Sequence, residues 1–268
     1  MSAVWTPMLA AVTITTATRD LQVIENATTY TATLAAGTYF LRGDGSSDDL
    51  AKALKTALDG TAGSNTYTVA VSFNVDPASK SATVTVTRAT GSDNFALLWA
   101  DGSTTLDPAL FGCSANTATN SSAKASTLTP SCVWLGNKPP STDTRGTVRA
   151  SKQVETPSGI VQTVVRGGRR DRLRFGFVNV AAERTLAAKN TSDPAAAFDS
   201  FLEDFGDGRR WEVHEAETSS GTTLEALSGT ELGEFVPDSS LLEDFSPSRL
   251  ATQALYSFEV PLRGYVAP

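Results

Sequence analysis

The sequence has few of the residues from which most catalytic and metal sites are built. Its 268 residues include two cysteines, two methionines and one histidine, His214. Two cysteines and one histidine do not make a zinc site, which takes four such ligands. A serine or cysteine triad would have to be built around His214, and no Gly-x-Ser-x-Gly elbow is present. A lone histidine in a strand is typically a surface residue, so we predict no enzyme activity, no cofactor and no metal.

Long apolar runs and an excess of basic residues are also absent. No stretch of roughly 18 apolar residues occurs, so we expect no transmembrane helix and no membrane partner. The N-terminus lacks a basic segment before its short apolar stretch, and we interpret it as part of the fold rather than a signal peptide. The net charge is −7, with 29 acidic and 22 basic residues. Because an acidic chain is repelled by a phosphate backbone, we expect no nucleic-acid partner.

The two cysteines leave two alternatives open. Cys113 and Cys132 flank a segment rich in Ser, Thr and Ala. A disulfide between them would close that loop and contribute on the order of 3 kcal/mol to stability. Two thiols in a reducing cytoplasm are the alternative.

Alternating Thr, Val, Tyr and Phe are abundant, and this is the period-2 pattern of half-buried strands. Residues 66–75 and 82–89 alternate on either side of an Asp-Pro turn and predict an antiparallel hairpin. Residues 147–155 and 160–168 predict a second hairpin, with its turn at 157–159. Further strands are predicted at 12–17, 29–35, 38–42, 94–100, 172–181, 209–217 and 254–266.

The stretch GTYFLRGDGSSDDLAKALKTAL, residues 37–58, contains an Arg-Gly-Asp tripeptide and a cluster of aspartates. Its apolar residues recur at helical spacing and predict a helix over 47–59. We expect Ser46 or Ser47 to cap this helix and the next two aspartates to lie in its first turn, where the helix dipole favours negative charge. The spacing does not match a calcium-binding EF-hand loop. These acidic residues therefore have structural roles.

A second helix is predicted over 193–205, because Ser-Asp-Pro is a typical helix start and phenylalanines then recur at helical spacing. Together the elements predict a mainly β fold with two short helices, of the α+β class. We expect two β-sandwich or barrel-like domains joined by a long linker. The predicted boundaries are 1–112 for the N-terminal β-rich domain, 113–145 for the linker or arm, and 146–268 for the C-terminal β-rich domain, which includes a long loop at 218–250.

Five arginines form the one concentrated basic patch of the sequence. Such a patch suits an acidic surface on a neighbouring subunit, and the chain supplies many acidic residues of its own. A solvated hairpin tip is the alternative. The linker is poor in apolar residues, and its Val-Trp-Leu segment predicts the point at which it packs onto a domain. The predicted interface residues are Arg166, Arg169, Arg170, Arg172, Arg174 and Trp134.

Several segments resemble structural proteins of tailed bacteriophages. GTYFLRGDGSSDDLAKALKTALDG, residues 37–60, is similar to a strand–turn–helix unit of such proteins. It is followed by the hairpin at 67–89 and by a Trp-containing strand and turn at 92–112. Residues 195–217 and 255–266 resemble tail and baseplate components more loosely. The resemblance implies a non-enzymatic virion subunit, above all of the tail or baseplate.

The same resemblance implies how such a subunit works. It would be a homo-oligomer that assembles as a ring or connects neighbouring virion structural proteins. Its place would be the virion, assembled in the host cytoplasm. Long loops and exposed strand edges suit this role, because they can become ordered on assembly.

Other functions remain open. A head-decoration protein is one alternative, and a β-sandwich adhesin or carbohydrate-binding module is another. The binding module would need exposed aromatic side chains. A glycan hydrolase would need an acid pair such as Glu212 with Asp204 or Glu215. The aromatic candidates are Trp99, Trp134 and Trp211, of which Trp99 and Trp211 lie in predicted strands and are expected in the core.

Overall fold

A computed structural model describes residues 3–5, 8–74, 82–119, 122–134, 141–155, 161–181, 209–218, 223–224, 230–238, 243–250 and 253–265. In these residues the chain is mainly β, as predicted, with several antiparallel sheets and one α-helix. The helix is α1, Leu50–Asp59, and a short 3-10 helix spans Pro108–Phe111. The strands are β1 (Ala3–Trp5), β2 (Met8–Ala10), β3 (Val12–Ile14), β4 (Asp20–Glu25), β5 (Thr28–Thr33), β6 (Gly37–Tyr39), β7 (Thr66–Asn74), β8 (Ala82–Thr90), β9 (Phe95–Leu98), β10 (Ala123–Ala125), β11 (Val133–Trp134), β12 (Thr142–Glu155), β13 (Val161–Ala181), β14 (Trp211–Thr218), β15 (Thr223–Leu224), β16 (Thr230–Pro237), β17 (Glu243–Leu250) and β18 (Gln253–Gly264).

The helix α1 is present, but its cap differs from the prediction. The N-cap is Asp49, whose Oδ1 accepts hydrogen bonds from the amides of Ala51 at 3.0 Å and Gly43 at 3.1 Å. Its Oδ2 accepts a third from Gly45 at 2.9 Å. Both glycines have positive φ, which turns their amides toward the carboxylate. The predicted serine caps are wrong, because one carboxylate satisfies three amides. The helix ends at Asp59, as predicted, and Gly60 is its C-cap. The helix predicted over 193–205 lies outside the described residues.

Both predicted hairpins are confirmed as strand pairs. β7 pairs antiparallel with β8, and β12 pairs antiparallel with β13. The second pair has one register shift, between Arg149 and Ser151. β13 is a single strand of 21 residues, where the sequence pattern predicts two strands.

The largest sheet has nine strands and draws on distant parts of the chain. Its order is β11-β2-β14-β16-β18-β13-β12, with β1 paired to β14 and β17 paired to β18. In a separate sheet, β15 pairs with β7. These pairings cross the boundaries predicted at residues 112 and 145. The division into two domains stays a prediction.

The loop predicted over 218–250 contains three strands instead, namely β15, β16 and β17. β16 lies between β14 and β18, and its Phe235 is buried. Gly233 and Pro237 interrupt its alternation, so the strand depends on hydrogen bonding to two neighbours rather than on a period-2 pattern. The predicted linker likewise contains β10 and β11.

The closing strand packs against β13 as its alternation predicts. Phe258, Val260 and Leu262 of β18 are buried, and so are Leu173 and Phe175 of β13. The two strands pair antiparallel, which brings these side chains together on one face of the sheet. This face is part of a single cluster of buried apolar residues that also includes the inner faces of β4, β7 and α1.

The two cysteines are thiols in the structure. Cys132 is fully buried, and its Sγ donates to the carbonyl of Leu110 at 3.5 Å. Cys113 is partly buried, and its Sγ donates to the carbonyl of Phe111 at 3.7 Å. The structure therefore has two thiols rather than a disulfide, and both lie beside the 3-10 helix.

A buried carboxylate organises the turn between α1 and β7. Glu25 is 2% exposed and accepts hydrogen bonds from the amides of Ser64 at 2.9 Å and Asn65 at 3.2 Å, and from the hydroxyl of Tyr67 at 2.6 Å. Burial and this bond to Glu25 raise the pKa of Tyr67 above its ordinary value. Gly63 lies against the same carboxylate, and a Cβ added there would overlap with its Oε atoms. The turn therefore needs a glycine at this position.

We expect Gly63→Ala to destabilise the protein by roughly 2 kcal/mol, because the added methyl group displaces Glu25 from its donors. The free energy of unfolding, measured by urea denaturation, tests this. Gly102→Ala is the matched control, since a Cβ at Gly102 has no neighbour within 4 Å. Equal stabilities for the two variants would show that the contact with Glu25 does not constrain the turn.

Candidate functional site: a buried ion-pair cluster and a two-stranded ribbon

Arg42 lies at the centre of a cluster of charged side chains from distant parts of the chain. Its Nε donates to Glu212 Oε1 at 2.8 Å and Oε2 at 2.9 Å, and its Nη2 also bonds Oε2. Its Nη1 donates to Asp48 Oδ1 at 2.5 Å and to Ser46 Oγ at 2.9 Å. Arg42 and Asp48 lie in the segment between β6 and α1, and Glu212 lies on β14. One guanidinium group therefore bridges two carboxylates that are far apart in sequence.

Glu212 is fully buried and ionised. Burial alone would raise its pKa, but hydrogen bonds with His214 and Arg42 outweigh this and lower it. The Nε2 atom of His214 lies 2.5 Å from Glu212 Oε1. The hydrogen bond from Arg42 lowers the pKa of Asp48, and the bond to Glu212 raises the pKa of Arg42. The carboxylates of Glu212 and Asp48 and the guanidinium group of Arg42 are therefore charged at neutral pH.

Cation–π contacts extend the cluster over an aromatic ring. The guanidinium carbon of Arg42 lies 5.0 Å from the centre of the Phe40 ring, and that of Arg210 lies 5.3 Å from it. Arg210 also lies 4.9 Å from the Tyr265 ring and forms an ion pair with Glu234 at 3.0 Å. Each such contact is worth about 0.5–1 kcal/mol or more. The turn before α1 is thereby fastened to β14, to β16 and to the residue after β18.

The cluster is placed to stabilise the fold and not to act on a substrate. The side chain of Glu212 is 0% exposed and that of His214 is 6% exposed. General acid–base catalysis requires hydrogen-bond contact with the substrate, which a fully buried carboxylate does not offer. The prediction that His214 is a surface residue is wrong, because its imidazole is the buried partner of Glu212. Glu212 is likewise unsuited to the acid pair of a glycan hydrolase, and Asp204 lies outside the described residues.

The Arg-Gly-Asp tripeptide is part of the same turn, and its two charged side chains bond to other groups of the chain. The side chain of Arg42 is only 12% exposed, and Asp44 Oδ1 accepts hydrogen bonds from the amide and hydroxyl of Ser46 at 3.0 and 2.8 Å. Within the described ranges, no group of three or more His, Cys, Asp or Glu side chains is placed to hold a metal ion. Nor does the described part of the chain contain a helix long and apolar enough to cross a membrane.

The second candidate is the two-stranded ribbon formed by β12 and the first part of β13. β18 pairs with β13 only from Arg172 onward, so Val161–Asp171 pairs with β12 alone among the described strands. At roughly 3.3 Å per residue this part extends for about 35 Å. A ribbon of two strands is marginally stable in water. β12 is also the outermost strand of the described sheet, which leaves its outer edge available for pairing.

Three of the predicted interface arginines lie on this ribbon. Arg169 stands directly opposite Arg149 of β12, and Arg170 stands opposite Val148. Arg166 lies at the register shift between the two strands. Like charges directly opposite each other destabilise an antiparallel pair. The backbone register therefore sets Arg149 and Arg169 at directly opposed positions of the ribbon.

The other predicted interface residues lie within the sheet. Arg172 forms an ion pair with Asp238 at 2.9 Å, and Arg174 forms one with Glu259 at 3.4 Å. Both pairs are internal to the chain, so these arginines help fix the ribbon's base to the sheet. Trp134 lies on β11, where its backbone pairs with Met8. At Trp134 the predicted linker thus contacts the large sheet through the pairing of β11 with β2.

Charge is divided unevenly between the ribbon and the rest of the chain. The ribbon, residues 142–155 and 161–171, contains six of the 22 basic residues and three of the 29 acidic ones. The remainder has 16 basic and 26 acidic residues, a net charge of −10. The ribbon and the rest of the chain thus carry net charges of opposite sign.

Two of the three tryptophans proposed for a carbohydrate platform are buried. Trp99 is 4% exposed and its ring lies 5.5 Å from that of Phe111, while Trp211 is 2% exposed. Both belong to the core, as their strand positions indicate.

No protein-family model matches this chain, and no curated protein is significantly similar to it.

We expect Glu212→Gln to destabilise the protein by about 3 kcal/mol at pH 7, because it leaves the buried side of Arg42 without its counter-charge. The folded-state pKa of Glu212 is lowered, so its stabilisation is present above its unfolded pKa of about 4.3 and is lost as the pH falls through the folded value. The stability difference between wild type and variant should therefore shrink below roughly pH 4. Urea denaturation at a series of pH values measures it.

Glu234→Gln provides the control for this prediction. Glu234 is also paired with an arginine, Arg210, but both side chains are partly exposed, so we expect a loss below about 1 kcal/mol. Equal losses for the two variants, or a difference that grows in acid, would contradict the assigned role of Glu212.

Proposed function

We propose that the protein is a non-enzymatic structural subunit of a tailed-phage virion, most specifically a tail or baseplate component. It works as a homo-oligomer, assembling as a ring or connecting neighbouring virion proteins, and it resides in the virion after assembly in the host cytoplasm. The observation that carries this proposal is the ribbon of β12 and β13. The phage assignment itself is supported by the resemblance of residues 37–60, 67–89 and 92–112.

The ribbon suits assembly because, among the described strands, residues 161–171 of β13 pair with β12 alone. Two strands alone bury little apolar surface. In this proposal the directly opposed positions of Arg149 and Arg169 disfavour the isolated ribbon, and an acidic neighbour offsets their charge. Since the chain outside the ribbon is strongly acidic, a second copy supplies that neighbour. Association then removes the repulsion and extends the sheet.

The sheet also suits repeated association. Its outermost strands in the described part, β11 and β12, differ from each other, so pairing of β12 with β11 of the next copy is a head-to-tail contact. Head-to-tail contacts close into rings when the rotation permits and otherwise form filaments. In this proposal, residues 113–145 act as the arm between two β-rich sandwich or barrel-like domains, and they reach neighbouring subunits.

We predict concentration-dependent association that weakens as salt is raised, because the contact depends on charge. The mass in solution, measured by light scattering at several concentrations and two salt levels, tests this. Replacing Arg169 and Arg170 together by Ser should weaken association by about tenfold or more, since two charges of the contact are lost.

Arg263→Ser is the matched control. Arg263 is an exposed arginine on β18, outside the ribbon, so its loss should leave association unchanged. Association that ignores salt, or that responds equally to both changes, would contradict a contact made by the ribbon. A chain that stays monomeric at every concentration would contradict self-assembly.

A further inference from the structure

A cleft of about 670 Å³ lies between α1 and the strands β5 and β6. Its volume is in the range of about 300–1,000 Å³ that is typical of small-ligand sites. It lies among residues 19–60, away from the ribbon. The lining residues that matter below are Arg19, Thr31, Thr33, Tyr39, Lys52 and Thr56.

The charge of the cleft is opposite in sign to that of the chain. Its two charged lining residues, Arg19 and Lys52, are both cationic. The side chain of Arg19 makes no hydrogen bond or ion pair to another described residue, and its Nε is buried without a partner there. Lys52 Nζ donates to the carbonyl of Gly45 at 2.8 Å, which uses one of its three donors. The cleft therefore offers positively charged donors to a ligand.

The hydroxyl groups of the cleft offer acceptors. Thr33 Oγ1 donates to Asp20 Oδ1 at 2.7 Å, and the hydroxyls of Tyr39 and Thr56 each donate to a backbone carbonyl at 2.9 Å. A hydroxyl has one proton and two lone pairs, so a group that donates inward retains lone pairs for a ligand. A complementary ligand must donate hydrogen bonds to these oxygens and also present negative charge to the cations.

We propose that this cleft binds a saccharide that carries a carboxylate, of the uronic-acid type. The carboxylate is held by Arg19 and Lys52, and the sugar hydroxyls donate to the oxygens of Thr33 and Thr56. On β5, exposed Thr31 and Thr33 alternate with buried Ala32 and with buried Leu34 just after the strand, so the ligand meets the face of a strand. A peptide strand would instead pair along an edge through its backbone. The site is contained in one copy and does not depend on assembly.

Isothermal calorimetry with a galacturonic acid disaccharide tests the proposal. We expect binding, and we expect binding at least about tenfold weaker for the neutral galactose disaccharide, because the charge-assisted bonds are lost. Arg19→Gln and Lys52→Gln should each weaken binding of the acidic disaccharide by about tenfold. Lys55→Gln should not, since Lys55 lies on the same helix, pairs with Asp59 and does not line the cleft.

Three results would overturn the proposal. They are failure of the acidic disaccharide to bind, equal affinity for the neutral one, and undiminished binding by both cleft variants. Tighter binding of a glutamate-rich peptide that is lost in Arg19→Gln would assign the cleft to a protein partner instead. A monomeric chain that still binds the acidic disaccharide would refute the assembly function alone, whereas an assembling chain that does not bind would refute the cleft alone.

Discussion

The rest of the structure depends on the contact between Arg42 and Glu212. It fastens the turn before α1 to β14, the strand that itself pairs with β1, β2 and β16. A buried pair of this kind is tolerated only where its hydrogen-bonding groups are satisfied. Here Glu212 is held by two partners, Arg42 and His214. Arg42 in turn also donates to Asp48 and Ser46, so its charge is shared between two carboxylates.

The charged residues of β14 and those of the β12–β13 ribbon are arranged differently within the large sheet. Around β14 the charged groups are buried, paired and held in one arrangement. Along β12 and β13, arginines are placed opposite one another on a two-stranded ribbon. The base of that ribbon is fixed by β18 and by the ion pairs of Arg172 and Arg174. The proposed function rests on this contrast, since a ribbon that pairs with no third described strand leaves an edge for a second copy.

The sequence predicts those elements whose side chains alternate between core and solvent. The two hairpins and β18 follow from period-2 patterns, and α1 follows from its apolar spacing. β4 is buried on both faces and so has no such alternation, and its sequence DLQVIE therefore does not indicate a strand by this criterion. β16 and β17 show no such pattern, because Gly233 and Pro237 interrupt β16 and polar residues make up five of the eight residues of β17. Both strands are defined by pairing with their neighbours. The cap of α1 depends on two positive-φ glycines, and the contact of Arg42 with Glu212 joins residues 170 apart. A lone histidine two residues from a glutamate was the one local sign of this cluster.

The central claim is that copies of this chain assemble through the ribbon. Electron microscopy of the concentrated protein at low salt tests it most directly, because it shows the arrangement of copies as well as their association. The account predicts closed rings or stacked tubes of uniform diameter, with density for the ribbon reaching from each copy onto the next. Separate single copies, or rings in which the ribbon points into solvent, would contradict it.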